Sequence, residues 1–221
     1  MNGLSPLHVD FRFVELEHEL DSLSTFREVF EEQLNFVEDQ QRIRLNARFA
    51  SAEWDDADRQ VASQEVDFLV EEVLPRFFRG PFLISLWAVF ESGMIELADY
   101  LAEKKQLPLK LRDIRGCNPF DQWNKYYTHV AGYSLGFDES TRQKLEELRL
   151  VRNALAHANG RIDLVKQRDR EKLEMWCAED RGLHTRFHLL IFSVEYTREA
   201  EVLVTEALSG LLSRVRSDFP A

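Results

Sequence analysis

Residues 148–162 read Leu-Arg-Leu-Val-Arg-Asn-Ala-Leu-Ala-His-Ala-Asn-Gly-Arg-Ile, and their spacing puts the chain in the helical class. At about 100° per residue, Leu145, Leu148, Val151 and Leu155 make one continuous apolar stripe, as in a helix packed on a core. Arg149, Asn153 and His157 follow at i, i+4 and i+8 as a polar stripe beside it. Arg152 lies at the margin of the apolar stripe, with Ala156 between it and the polar one, so another backbone can approach this face closely. Asn159-Gly160 supplies the left-handed residue that ends a helix, and Asp138 or Ser140 can cap its start.

The same periodicity extends through the chain. Phe13, Leu16, Leu20, Leu23, Phe30, Leu34 and Val37 fall at helical spacings. They predict one long helix to about Phe49, or two broken at Ser22–Thr25, where Thr25 and Glu28 offer a capping box. A second helix is expected from about Ala57 to Phe78, kinked or ended by Pro75. Gly80-Pro81 reads as a turn and the first turn of a third helix, which runs from Phe82 to about Lys105. That helix is apolar on most faces, including Trp87, Phe90, Met94 and Ile95, and is expected at the centre. Residues 106–117 read as loop, and Asn118-Pro119 opens a short aromatic helix to about Ala131. Beyond the motif helix, Leu164–Trp176 reads as helix, and Leu183–Phe192 as extended chain or a small hairpin. Ser193 caps a last helix, Val194–Val215. The expected fold is all-α: an up-and-down helical bundle with long N-terminal helices and a small extended segment within 173–192. One domain is expected over 1–221, with 1–56 as a helical extension and 57–221 as the bundle core.

Composition narrows the function classes. The 221 residues are 44% hydrophobic and 30% charged, enough for a full core, and nine Gly and six Pro are few for a β-rich chain. Cys117 and Cys177 are far apart and form no disulfide framework, which fits a reducing, cytoplasmic setting. The run Phe82–Phe90 is too short to span a bilayer, no secretory signal opens the chain, and no membrane partner is expected. A net charge of −11 argues against a general nucleic-acid coat. The charge is uneven, however: Arg142, Lys144, Arg149, Arg152, Arg161, Lys166, Arg168, Arg170 and Lys172 cluster around the motif. This segment reads either as a local RNA-contacting face or as a solvated face laced with i,i+4 ion pairs.

If the motif helices of two subunits met across a two-fold axis, one groove would hold two imidazoles and several guanidinium groups. One His157 would take the proton of a ribose 2′-OH and the other would protonate the leaving 5′-oxygen. Arg152 would neutralise charge on the phosphorane oxygens, Asn153 would position the histidine or the phosphate, and Arg149 and Arg161 would be auxiliary phosphate contacts. The chemistry needs no metal. His184 and His188 lack an acid or cysteine at ligand spacing, and no cofactor is expected. The other reading is structural: a dipole-stabilising His in the last turn, an ordinary C-cap, and an Arg paired with a buried acid.

Arg152-Asn153 with His157 resembles the Arg-x(4)-His signature of HEPN domains. The late position of the motif, the helix around Ser85-Leu86-Trp87-Ala88-Val89-Phe90-Glu91, and the ending Asn159-Gly160-Arg161-Ile162 before an extended segment and a last helix are also similar, over roughly 70–215. The resemblance implies a small all-α bundle, commonly homodimeric, whose catalytic members are ribonucleases of toxin–antitoxin and defence systems. An RNA substrate and an antitoxin or defence-system partner are therefore expected. Position 159 is Asn, where members silenced by AMP transfer have Tyr, so that control is not expected. Members that have lost catalysis serve as interaction modules. The alternative expectation is accordingly a silent helical scaffold that dimerises or binds a protein partner through its acidic N-terminal helices. Glu91 falls among apolar residues on the third helix and needs a partner. Arg152 is the candidate, with Glu91 fixing it in the groove or making a plain structural ion pair. Phe120, Trp123, Tyr126 and Tyr127 are either base-stacking groups or core.

Overall fold

The computed structural model describes residues 10–51, 53–179 and 181–219. The protein is all-α, and among these residues the only named strands form one short hairpin. The helices are α1 (Phe11–Ser51), α2 (Asp56–Phe68), α3 (Leu74–Lys105), α4 (Pro119–Lys125), α5 (Glu139–Ala158), α6 (Gln167–Ala178) and α7 (Val194–Asp218). Strands β1 (Leu183–Arg186) and β2 (Leu189–Phe192) pair antiparallel, with Leu183 opposite Phe192 and Arg186 opposite Leu189.

Of the two readings of the first helical segment, one long helix is observed: α1 is continuous for 41 residues through Ser22–Thr25. One expectation is corrected. The helical path does not stop at Pro75 or turn at Gly80-Pro81. A π-helical turn, Leu69–Val73, joins α2 to α3, and Pro81 lies inside α3. The wide turn bonds the Leu74 N–H to the Leu69 carbonyl, and Pro75 then falls in the first turn of the following α-helical register, where its missing N–H and fixed φ are tolerated. Gly80 serves close packing: a Cβ there would lie 3.3 Å from Leu155 Cδ2 on α5. The uninterrupted path Asp56–Lys105 is, by length and composition, apolar enough to cross a membrane, although no single apolar run within it is. Half of its most apolar window is buried inside the protein, as in a core helix.

The chain divides into two compact units whose boundary falls within α1, α3, α5 and α7. One comprises the described residues up to Ser22, Leu86–Leu145 and the described residues from Val202 on; the other comprises Leu23–Ser85 and Glu146–Glu201. In the first unit, Trp87, Phe90 and Trp123 make a buried aromatic cluster. Tyr127 Oη donates to the Met94 carbonyl at 2.7 Å and Tyr126 Oη to the Ala98 carbonyl at 3.3 Å. Burial of Trp123, Tyr126 and Tyr127 makes them core rather than a base-stacking surface. Gly93 lets α1 and α7 close on α3, since a Cβ there would come within 2.9 Å of Leu16 Cδ1 and 3.1 Å of Leu208 Cδ2.

In the second unit, Arg79 holds α1 to β2. It donates to both carboxylate oxygens of Glu31 at 2.8 and 2.7 Å and to the Phe192 carbonyl at 2.8 Å. Arg27 pairs with Glu201, and the buried Glu72 of the π-helical turn pairs with Arg186 of β1. Beside the buried Leu34 and Leu45, α1 carries an exposed apolar stripe of Phe26, Val29, Phe36 and Ile43, spaced by three, seven and seven residues.

Candidate functional site

The motif helix α5 starts where Asp138 accepts the Thr141 N–H at 2.7 Å, and that bond holds the Asp138 carboxyl below its ordinary range. Its end is built by Asn159 and Gly160, both at positive φ (50° and 75°), with the Gly160 N–H reaching back to the Ala154 carbonyl at 2.9 Å. The chain leaving this turn is stitched to the hairpin. Ile162 N–H bonds the His188 carbonyl and Leu190 N–H bonds the Gly160 carbonyl, each at 2.9 Å, and Arg161 bridges to Leu189. Arg76 of α3 ties the same turn from the other side, its Nη2 donating to the Asn159 carbonyl at 2.6 Å. These contacts set the direction of the last turn of α5 and so of His157.

His157 and Ala156 are exposed, whereas Arg149, Arg152 and Asn153 are half-buried. Arg152 Nη1 donates to Asn153 Oδ1 at 3.0 Å, so the neighbouring amide restrains the guanidinium. Both auxiliary arginines already hold carboxylates. Arg149 makes a bidentate pair with Glu146, both bonds at 2.8 Å, which Lys172 joins at 3.8 Å. Arg161 grips Asp163 at 2.6 Å, which lowers the Asp163 carboxyl below its ordinary range. Either arginine would have to exchange a carboxylate for a phosphate. The basic segment is in part the ion-paired face that was one of its two readings, since Arg170 also pairs with Glu174 at i,i+4.

Glu91 belongs to the first unit and Arg152 to the second. Glu91 is half-buried rather than enclosed, and Ile95, expected in the core, is exposed beside it. The two line a cavity of about 180 Å³ with Asp99, Lys110, Arg112 and Trp123.

The sequence did not single out Arg76 or the hairpin tip, Phe187-His188. No local signal marks them, since the Arg-Phe pair shared by Arg76-Phe77 and Arg186-Phe187 recurs at Arg12-Phe13 and Arg48-Phe49. Comparison with protein-family models, curated proteins and solved structures finds no match.

Proposed function

We propose that the protein is a HEPN-type, metal-independent endoribonuclease, acting in the cytoplasm as a homodimer within a toxin or defence system, with an antitoxin or defence protein as its regulator. The observation that supports this most is the end of α5, where His157 and Ala156 are exposed and Asn153 restrains the half-buried Arg152 guanidinium one turn earlier. Here the imidazole is accessible and the small residue beside it leaves room for a second helix.

In the reaction, the ribose 2′-oxygen attacks the adjacent phosphorus while one His157 takes its proton. The phosphorus–O5′ bond breaks as the second copy's His157 donates a proton to O5′. A 2′,3′-cyclic phosphate and a 5′-hydroxyl result. Arg152 carries the charge that builds on the non-bridging oxygens, and Asn153 keeps that guanidinium in place. The test is cleavage of several RNA classes by purified protein in excess EDTA, wild type beside His157→Ala. Expected are cyclic-phosphate ends from the wild type and at least a hundredfold loss in the folded variant, in the range of removing a general acid–base group. Equal cleavage by both proteins would remove His157 from the chemistry.

A second reading is favoured by the exposed stripe on α1: a non-catalytic scaffold that pairs with a second copy of itself through that helix. Acidic Glu28 and Glu32 flank the first half of the stripe and basic Arg44 and Arg48 the second, all exposed. An antiparallel pair with Val29 facing Ile43 of the second copy and the two Phe36 side chains at the axis would set Glu28 opposite Arg44.

A further inference from the structure

We infer that the hairpin tip and the start of α3 form a platform for single-stranded RNA, continuous with the end of the motif helix. Phe187 and Phe77 would be its stacking faces, and Arg186, Arg76 and Arg161 its phosphate ligands. The inference rests on the reading that RNA is the substrate and assigns where that substrate lies.

Two arginine–aromatic stacks stand on this surface. Arg76 Cζ lies 5.2 Å from the Phe77 ring centroid, and Arg186 Cζ lies 5.6 Å from that of Phe68 and 5.7 Å from that of Phe187. The Phe68 and Phe187 rings meet edge to face at 6.5 Å. The rings are open to solvent: Phe187 is 74% exposed, Phe77 58% and Phe68 40%. Stacking on aromatic faces with guanidinium groups at the backbone is how single strands are held without sequence preference, because every base has a π-face and every linkage a negative charge. Duplex RNA hides its base faces and cannot use them.

The platform touches the candidate site through bonds already described. Arg76 bonds the Asn159 carbonyl, two residues past His157. The Ile162 N–H bonds the His188 carbonyl at the tip, and Arg161 pairs with the strand that leaves it. A strand lying over Phe187 and Phe77 therefore passes the last turn of α5. The charges facing this surface include two carboxylates, Glu72 on Arg186 and Asp163 on Arg161. Only part of the arginine charge is available to phosphate, so the salt dependence is shallow and stacking carries much of the affinity.

The turn itself points the same way. Phe187 and His188 both have positive φ, 49° and 65°. A two-residue hairpin turn of this kind favours Asn-Gly, and a bulky aromatic residue there is an outlier. The chain thus holds a large apolar ring in an unfavourable backbone region and points it at water. No hydrogen bond of the turn requires that ring: the His188 carbonyl serves Ile162 whatever the side chain. Strain combined with exposure at a tip beside a candidate site is what a binding residue shows.

The experiment measures binding by the full chain of a fluorescent 2′-O-methyl oligouridylate, which 2′-hydroxyl chemistry cannot cleave, and of a duplex of the same length. Wild type is compared with Phe187→Asn/His188→Gly, with Phe77→Ser, and by thermal unfolding. The turn variant is expected to melt higher and to bind the single strand about tenfold more weakly. Phe77→Ser lowers affinity similarly, and the duplex binds weakly to all three. Unchanged single-strand affinity in both folded variants, or equal binding of duplex, overturns the platform while leaving an RNA substrate in place. If the wild type binds neither RNA and cleaves none, the ribonuclease reading fails with it. A self-association lost in the turn variant, without RNA binding, would assign this face to a second copy of the chain and overturn the platform.

Discussion

Cys177 shows how far burial on the inner side of α6 changes a single side chain. Burial, reinforced by the nearby Glu147 and Glu174, pushes its thiol up to about 11 from an ordinary value near 9. The neutral thiol is the form the fold prefers, so this contribution to stability is full below about pH 9 and is lost as the pH rises through about 11. The thiolate is the nucleophile, and little of it exists at pH 8. Alkylation with iodoacetamide at that pH, followed by mass spectrometry, should label exposed Cys117 first and Cys177 at least tenfold more slowly. Equal rates would mean that α6 opens readily. Sequence spacing argued against a disulfide framework for these residues, but the partial burial of Cys177 involves residues such as Tyr196 that no local pattern attaches to it.

At the scale of elements, caps carry measurable weight. Ser193 Oγ accepts the Tyr196 N–H at 3.1 Å at the start of α7. Ser193→Ala should therefore cost about 1 kcal/mol of unfolding free energy, read as a lower urea midpoint at unchanged slope; no shift would mean that backbone and solvent already satisfy that end. This cap was legible because Ser followed by a helical period is a local signal, and so were the Asn118-Pro119 start and the Asn159-Gly160 stop. The run from Pro75 to Pro81 was not. Two prolines and a glycine normally announce a break, but the π-helical turn before Pro75 and the approach of Leu155 to Gly80 are tertiary facts. The candidate site divides the same way. The wheel placed Arg149, Asn153 and His157 on one face, and the bond of Asn153 to Arg152 is between sequence neighbours. The clamp of Arg76 on Asn159 comes from a helix far away in sequence, and Phe187-His188 carries no turn signal because it adopts a conformation its residue types avoid.

For the molecule as a whole, the stripe on α1 is the feature that folding has not used. Phe36 and Ile43 are 57% and 59% exposed, and adjoining apolar groups of this size mark interaction surfaces. Phe36→Glu, near the proposed axis of self-pairing, should convert a dimer to a monomer in sedimentation equilibrium while leaving the circular dichroism spectrum unchanged. A wild type that stays monomeric across the concentration series would remove the α1 pairing. A dimer indifferent to Phe36→Glu would place the two-fold axis elsewhere, and the face around Ala156 is the other candidate.

The uninterrupted path through α2 and α3 also has a history during synthesis. Its apolar side is complete once Lys105 leaves the ribosome, but Leu155, which fills the space at Gly80, and Leu208, which closes on Gly93, are still untranslated. At about 5–20 residues per second, the interval before Leu208 appears is on the order of ten seconds. During it, the nascent chain presents a hydrophobic helix before the residues that close on Gly80 and Gly93 exist. Translation pauses placed between α3 and α5 would prolong this exposure, whereas pauses after α7 would not.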